Sequence, residues 1–425
     1  MNCDLLVRSA AQLITAPPGS GPLLGPDLDR PLLIPDAAVA CDGGKIVAVG
    51  STAEVTRRYP EKEAGRVVDA RGLLVAPGFV DSHTHLPFAG TRAVEFEERA
   101  RGESYAAIAE RGGGIRASVR HLRETSEESL AAAVVTRLAR LLEQGTTTVE
   151  AKSGYGLALE EERKQLRALR RAAASSPVTI VPTFLGAHEV PDEHRARREG
   201  YVALLIESMI PAIAKEGLAR FADVFCDRGV FTVEEARRIL LAARDHGLEI
   251  KLHADELADV GAAALAAELH ATSADHLLHA SPAGLKAMAE ARVMAVLLPG
   301  TALTLDLPYA RARLMVEMGV PVALATDFNP GSNMCSSMPL VMTLAVTQMK
   351  LTPAEAWMAA TANAACAVAE GARLGRIQEG YAADLAVFAA EEFRQIAYHY
   401  GEEHVRMVVK GGVLVLDRAG PSGRT

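Results

Sequence analysis

The chain has 425 residues, of which 49% are hydrophobic and 23% charged, and its formal net charge is −8. These values predict a folded protein with one large and one smaller domain, and they exclude an intrinsically disordered chain. Because no basic run is present, we expect no nucleic-acid partner. The sequence has no uncharged apolar stretch of roughly 18 residues, so we expect no membrane-spanning helix either.

The five cysteines are odd in number, far apart and form no C-x-x-C pair: Cys3, Cys41, Cys226, Cys335 and Cys366. Neither a disulfide framework nor a cysteine-rich zinc site is therefore expected. The first residues lack the apolar segment of a secretory signal, which favours a cytoplasmic protein.

Residues 1–75 favour short strands separated by turns. Apolar clusters that end at Gly, Asp or Pro occur in CDLLVRSA, AAVACDGGKIVAVG and GRVVDARGLLVAPG. The segment DGGKIVAVG predicts a hairpin. Residues 17–35 are rich in Pro, Gly and Asp, and they predict a loop.

From about residue 78, short apolar runs alternate with helical stretches. The predicted strands are residues 79–82 and the segments GTTTVEAKSG, VTIVPTFLGAHE, FADVFCDRG, LEIKLHADE, TSADHLLHA, RVMAVLLPG and VPVALATDFN. This alternation predicts a parallel sheet closed into a (β/α)₈ barrel over residues 76–372. Residues 373–425 return to strand and turn character, so residues 1–75 and 373–425 are expected to join in one small β domain.

Polar residues cluster where the predicted barrel strands end. His83 and His85 form an H-x-H pair, whose alternate positions aim two imidazoles at one point. His253 and Asp327 follow later strands, and the carboxyl ends of barrel strands meet at one mouth. Three imidazoles and one carboxylate suit Zn²⁺ or a similar first-row metal and leave room for a water.

Other polar residues at this mouth are candidates for proton transfer and substrate binding. Glu256, three residues after His253, could relay a proton beside an activated water. His276 and His279 are both candidates for a site role, because strand parity does not separate them. Arg92 could pair with a substrate carboxylate. Polar loops contribute Tyr155, His188, Asn329, Gly331 and Ser332, while Tyr105 and the turn at 111–115 could cover the site.

Several motifs resemble the amidohydrolase superfamily, and imidazolonepropionases in particular. PGFVDSHTHLPFAGTR looks like the metal-binding opening of amidohydrolases. KSGYGL, FLGAHEVP and ATDFNPGS are more specific, and the similarity runs along nearly the whole chain. The sequence departs at Ala262, where a second glycine is expected, and after the glycine-serine pair in SNMCSS, but neither departure touches a proposed ligand.

The resemblance implies a (β/α)₈ barrel with a composite β-sandwich from both termini, a homodimer and a cytoplasmic location. It implies one metal, Zn²⁺ or Fe³⁺, bound by His83, His85, His253 and Asp327. Glu256, His276 and Asp327 are the implied catalytic residues, and substrate contacts carry over to Arg92, Tyr155, His188, Glu256, Asn329, Gly331 and Ser332.

The implied reaction is hydrolysis of 4-imidazolone-5-propanoate to N-formimidoyl-L-glutamate by a metal-activated water. The sequence leaves both His188 and His276 as candidates for the donor to the carbonyl oxygen, and both Glu256 and Asp327 as candidates for the proton carrier.

Three other functions fit parts of the sequence: a deaminase with the same ligands, a two-metal cyclic amidase with a carboxylated Lys152, and a barrel that only binds a ligand.

Overall fold

The computed structural model describes residues 1–103, 107–108 and 111–418, so Tyr105 lies outside the described residues. The described strands, numbered β1 to β16 in chain order, are Cys3–Thr15, Leu32–Asp42, Lys45–Ser51, Ala64–Asp69, Leu74–Pro77, Phe79–Asp81, Thr146–Lys152, Thr179–Ala187, Phe221–Cys226, Glu249–Ala254, Ser273–His276, Met294–Leu297, Val322–Leu324, Leu385–Phe388, Val405–Lys410 and Val413–Asp417.

The described α-helices lie mainly between the barrel strands and after the last of them. Their bounds are Thr52–Arg58, Ala93–Ala100, Ile115–Glu124, Glu127–Glu143, Leu159–Ala173, Arg198–Leu204, Ile210–Lys215, Val233–Asp245, Ala262–Glu268, Pro282–Ala291, Pro299–Leu305, Ala312–Glu317, Met338–Met349, Pro353–Ala360, Ala362–Ala367 and Arg394–Tyr398. None of these helices is long and apolar enough to cross a membrane.

Strands β6 to β13 form one parallel sheet in sequential order, as the alternation of strands and helices predicts. Its two edges meet just beyond the first and last strands, where Thr84 and Phe328 form a parallel bridge. The His85 amide donates to Phe328 O at 3.0 Å, and the Asp327 amide donates to His83 O at 3.0 Å. The barrel therefore closes at the segments that carry three of the predicted metal ligands.

The helix Val233–Asp245 illustrates how the outer layer forms. Thr232 and Glu235 make a capping box at its start, which satisfies amides that have no partner within the helix. Its buried residues recur at helical spacing, and they are Ala236, Ile239, Leu240 and Ala243. This apolar face packs against β9 and β10 and covers the barrel on that side.

The second sheet combines strands from both ends of the chain, in the order β16-β15-β14-β5-β1-β2-β3, with β4 also paired to β1. The predicted hairpin is confirmed: β2 and β3 are joined through Gly43 and Gly44, both at positive φ. The prediction of a loop over residues 17–35 is wrong at its end. Strand β2 begins at Leu32, because residues 32–35 pair with residues 12–15 of β1.

An aromatic cluster joins the two sheets. Phe79 of β6 stacks on Trp357 at 5.2 Å between ring centroids, and Phe388 of β14 meets Trp357 edge-on at 5.5 Å. The Trp357 indole N–H donates to Phe393 O at 3.0 Å, so this buried ring has its polar atom satisfied. The barrel and the terminal sheet thus share one core.

Candidate active site

A cavity of about 630 Å³ opens at the carboxyl ends of the barrel strands. Most of the predicted site residues line it: His85, Arg92, Tyr155, His188, His253, Glu256, His276, Asp327, Asn329, Gly331 and Ser332. His83 is fully buried and does not line the cavity. His279 is not among the lining residues, so His276 is the histidine that reaches the site.

Three predicted metal ligands converge within bonding reach of one point. The Nε2 atoms of His83 and His85 are 3.3 Å apart. Asp327 Oδ1 lies 3.5 Å from the first of these atoms and 3.4 Å from the second. One ligand nitrogen of His253 lies within 4.8 Å of those of His83 and His85, so the three histidines form one group and Asp327 lies beside two of them.

Buried carboxylates on two other barrel strands, β9 and β11, contact two of these imidazoles. His83 Nδ1 lies 2.6 Å from Asp275 Oδ2, so it donates its proton there and turns the Nε2 lone pair to the centre. His253 Nδ1 lies 3.0 Å from Asp223 Oδ2. Burial, together with the positive charge of Lys152, lowers the pKa of His83 well below its usual value, which favours the neutral imidazole that a metal needs.

Lys152 lies in a buried ionic cluster behind these ligands. Its Nζ is 2.8 Å from Glu150 Oε1, 2.8 Å from Asp223 Oδ2 and 3.7 Å from Asp275 Oδ2. Burial alone would lower the pKa of Lys152, but the three carboxylates raise it above its usual value. A lysine carbamate forms from the neutral amine, so this environment argues against the two-metal alternative.

Asp327 and Glu256 are held by partners that the sequence did not indicate. Thr301 Oγ1 donates to Asp327 Oδ2 at 2.5 Å, which leaves Oδ1 directed at the histidines. Asp227 Oδ2 accepts the Glu256 amide at 2.7 Å, and Glu256 Oε1 lies 3.5 Å from His276 Nδ1. Burial, with the charges of Asp327 and Asp227, raises the pKa of Glu256 well above its usual value.

Two buried side chains of the helix Leu159–Ala173 hold the loop that carries Tyr155. Glu162 accepts the amides of residues 154, 156 and 157, and Gln165 accepts those of residues 154, 155 and 156, all at 2.8–3.2 Å. His188 Nδ1 donates to the carbonyl of Gly154 in this loop at 2.9 Å. A neutral His188 therefore presents an unprotonated Nε2 to the cavity.

Arg92 lies at the edge of the cavity, against the loop after β13. Its guanidinium binds Glu95 Oε2 through Nε and Nη2, each at 2.8 Å. The loop is braced by Asn329, whose Oδ1 accepts the amides of Gly331 and Ser332 at 2.8 Å. The structure therefore brings the predicted carboxylate-binding residue beside the predicted polar loop.

Comparisons with known proteins agree with this arrangement. The Amidohydrolase family profile matches residues 74–415, and the profile described as "Imidazolonepropionase-like composite domain, bacteria" matches residues 37–61. The chain is 52% identical to the imidazolonepropionase of Symbiobacterium thermophilum, over 97% of both chains. It is 50% identical to that of Geobacillus thermodenitrificans, over 97% of this chain and 98% of the relative.

The chain belongs to the imidazolonepropionase family. It is accordingly a hydrolase of the amidohydrolase fold. Among solved structures, a zinc-bound adenosine deaminase from Xanthomonas campestris superposes with a TM-score of 0.70 at 20% identity, over 98% of this chain and 94% of that chain, which shows a shared fold.

The donor atoms of this imidazolonepropionase-family chain fit a metal. Two ligands bound at about 2.1 Å in a tetrahedron lie roughly 3.4 Å apart, and three pairs among His83, His85 and Asp327 are separated by 3.3, 3.4 and 3.5 Å. Asp327 Oδ1 and His253 Nε2 are buried without a hydrogen-bond partner among the described residues. Such atoms are costly unless they are bound, and a cation at the centre would satisfy them.

The buried residues that support the candidate ligands can also be recognised from the sequence, by a pattern outside the family motifs. Charged or polar residues alternate with apolar ones along the barrel strands, in pairs such as Glu150 and Lys152, or Lys251 and His253. Alternate positions of a barrel strand face its interior, so a charge at such a position must have a buried partner. That reasoning would have drawn attention to Asp223 and Asp275 as well.

Proposed function

We propose that this chain hydrolyses the cyclic amide of 4-imidazolone-5-propanoate to N-formimidoyl-L-glutamate in histidine degradation. The observation that supports this most directly is the convergence of His83, His85, His253 and Asp327 beside a cavity that Arg92 also lines. The names of the relatives support the substrate. One Zn²⁺ or Fe³⁺ per chain is proposed, because imidazole and carboxylate ligands suit both metals.

A metal held by the three histidines and Asp327 would supply Lewis acidity, which lowers the pKa of water to about 7. In the hydrolysis a water oxygen forms a bond to the ring carbonyl carbon, and the amide C–N bond breaks. The ring nitrogen leaves with a proton that came from the water, so substrate and water together account for the product. The residues around the cavity must therefore move one proton and stabilise one developing oxyanion.

Glu256 is proposed to move the proton. Both oxygens of Asp327 are committed, one to Thr301 and the other towards the histidines, whereas no hydrogen bond from the described residues fixes the Glu256 carboxylate. A carboxyl group with a raised pKa can accept a proton from water and return it to the leaving nitrogen. Its Oε1 lies 3.5 Å from His276 Nδ1, so the two groups face the same part of the cavity.

His276 is proposed as the donor to the carbonyl oxygen. His188 is less suited to that role, because its Nδ1 proton is directed at Gly154 O and its Nε2 is an acceptor when neutral. His188 would instead accept an N–H of the substrate ring. Arg92 and Tyr155 would hold the propionate, and the loop of Asn329, Gly331 and Ser332 would complete the pocket.

The decisive experiment offers the purified, metal-loaded protein 4-imidazolone-5-propanoate and follows the loss of the ring's ultraviolet absorbance. Turnover that a chelator abolishes is the expected result. Ammonia release from an amino-substituted heterocycle, without turnover of the imidazolone, would instead favour a deaminase. Binding of the imidazolone without any turnover would favour a ligand-binding barrel.

We further propose a catalytic domain over residues 76–372, which the alternation of strands and helices predicts, and a homodimer and a cytoplasmic location, which the family resemblance implies. Light scattering of the purified protein tests the assembly state. Detection in fractionated cells tests the location.

A further inference from the structure

One lysine is shared by all three carboxylates that support the metal centre. Lys152 and its partners Glu150, Asp223 and Asp275 expose none of their side-chain surface to solvent. Burying ions costs free energy that good geometry must offset, and barrel interiors are usually filled by branched apolar residues. A cluster of four such ions inside the barrel therefore needs an explanation beyond packing.

Each of the three carboxylates also contacts a candidate metal ligand or a residue next to one. Asp275 Oδ2 lies 2.6 Å from His83 Nδ1, and Asp223 Oδ2 lies 3.0 Å from His253 Nδ1. Glu150 Oε2 accepts the amide of Thr84, the residue between His83 and His85, at 3.3 Å. The cluster therefore contacts both the segment that carries His83 and His85 and the strand that carries His253.

We propose that Lys152 is a positioning residue for the metal centre, which acts by holding Asp275 and Asp223 where they orient His83 and His253. Without the ammonium, three neighbouring carboxylates repel one another and have no common partner to fix their rotation. The imidazoles would then lose the alignment of their Nε2 atoms. This role rests on the proposed metal site, but not on the identity of the substrate.

The test is Lys152→Met, which removes the charge and keeps an unbranched side chain of similar length. The matched control is Lys410→Met, since Lys410 pairs with Asp384 at 2.6 Å in the terminal sheet and contacts none of the candidate ligands. Lys251 would not serve, because its Nζ lies 3.9 Å from the same Asp275 and binds the carbonyl of Ser82, next to His83. Metal affinity is measured by competition with a chelating dye. The visible absorption of the Co²⁺-loaded protein reports the ligand geometry.

Lys152→Met is expected to lower metal affinity about 10- to 100-fold and to alter the cobalt spectrum, with a much smaller effect of Lys410→Met. Wild-type affinity and spectrum in folded Lys152→Met would overturn the proposal, as would equal losses in the two variants. If Lys152→Met does not fold, Asp275→Asn provides the same readouts. In a double variant the two losses should add only in part, because both act through His83 while Lys152 also acts through Asp223 and His253.

These readouts separate the positioning role from the proposed function. A wild-type protein that binds one Co²⁺ but does not hydrolyse the imidazolone contradicts the proposed function, while the affinity comparison still tests Lys152. A wild-type protein that binds no first-row metal overturns both.

Discussion

The guanidinium of Arg92 occupies the space beside Gly331 that a larger residue would need. A Cβ on residue 331 would lie 2.1 Å from Arg92 Nη1, and Gly331 has no positive φ that would itself exclude alanine. Gly331→Ala should therefore displace the flexible arginine rather than unfold the chain. We expect KM to rise about 10- to 100-fold, the effect of weakening hydrogen bonds to a charged group, with little change in kcat.

Steady-state kinetics and thermal unfolding of Gly331→Ala check this expectation. Gly200→Ala is the matched control, because the nearest atom to its new Cβ would be 3.9 Å away. An unchanged KM in Gly331→Ala would mean that Arg92 does not bind the substrate from its present position.

Arg92 itself should contribute mainly to substrate binding. Arg92→Lys loses the bidentate fork and Arg92→Ala loses the charge, so both should raise KM while the metal stays bound. The Arg92→Ala/Gly331→Ala double variant should bind no worse than Arg92→Ala alone, since both changes remove the same contact. Additive losses would show that Gly331 acts on the substrate independently.

His253 and Glu256 are expected to have different roles although they are three residues apart. His253→Ala removes one ligand of the centre and should lose metal and activity together. Glu256→Gln should keep the metal, while kcat falls about 10²- to 10⁴-fold if proton transfer is its whole contribution. Metal content and kcat measured on the same preparations decide this. Metal loss in Glu256→Gln would instead make Glu256 a ligand.

Glu162 should be a positioning residue for the Tyr155 loop. Its carboxylate accepts three loop amides, and Glu162→Gln would place an NH₂ group against at least one of them. We expect stability to fall by about 1–3 kcal/mol and KM to rise, because a buried donor loses its acceptor. Glu161→Gln is the control, since Glu161 makes a partly exposed ion pair with Lys164 that contributes little. Equal effects in both variants would contradict the role.

Metal removal should abolish activity and lower the melting temperature, because a metal bound only by the folded state stabilises it. One equivalent of Zn²⁺ or Fe³⁺ should restore both. Elemental analysis that finds two tightly bound metals per chain, or mass spectrometry that finds a carbamate on Lys152, would contradict the single-metal site.

The barrel and the convergence of the candidate ligands were predictable because both depend on short-range patterns. Parallel strands that alternate with helices close into a barrel, and residues at strand ends such as His83 and Asp327 then meet at one mouth. Thr301 and Glu162 were not predictable in this way, since each lies on a helix whose approach to the site depends on the path of a preceding loop. Strand β2 was predicted too short because its first residues pair with distant residues of β1.

The composite sheet has a consequence for how the protein is made on the ribosome. Strand β5 pairs with β1 early in the chain, but its other edge pairs with β14, which is translated some three hundred residues later. The Phe79 ring likewise cannot contact Trp357 and Phe388 until those residues have been translated. A nascent chain therefore carries an unpaired strand edge and an open apolar surface until translation is almost complete. Chaperones that bind such surfaces should associate with it for most of its synthesis.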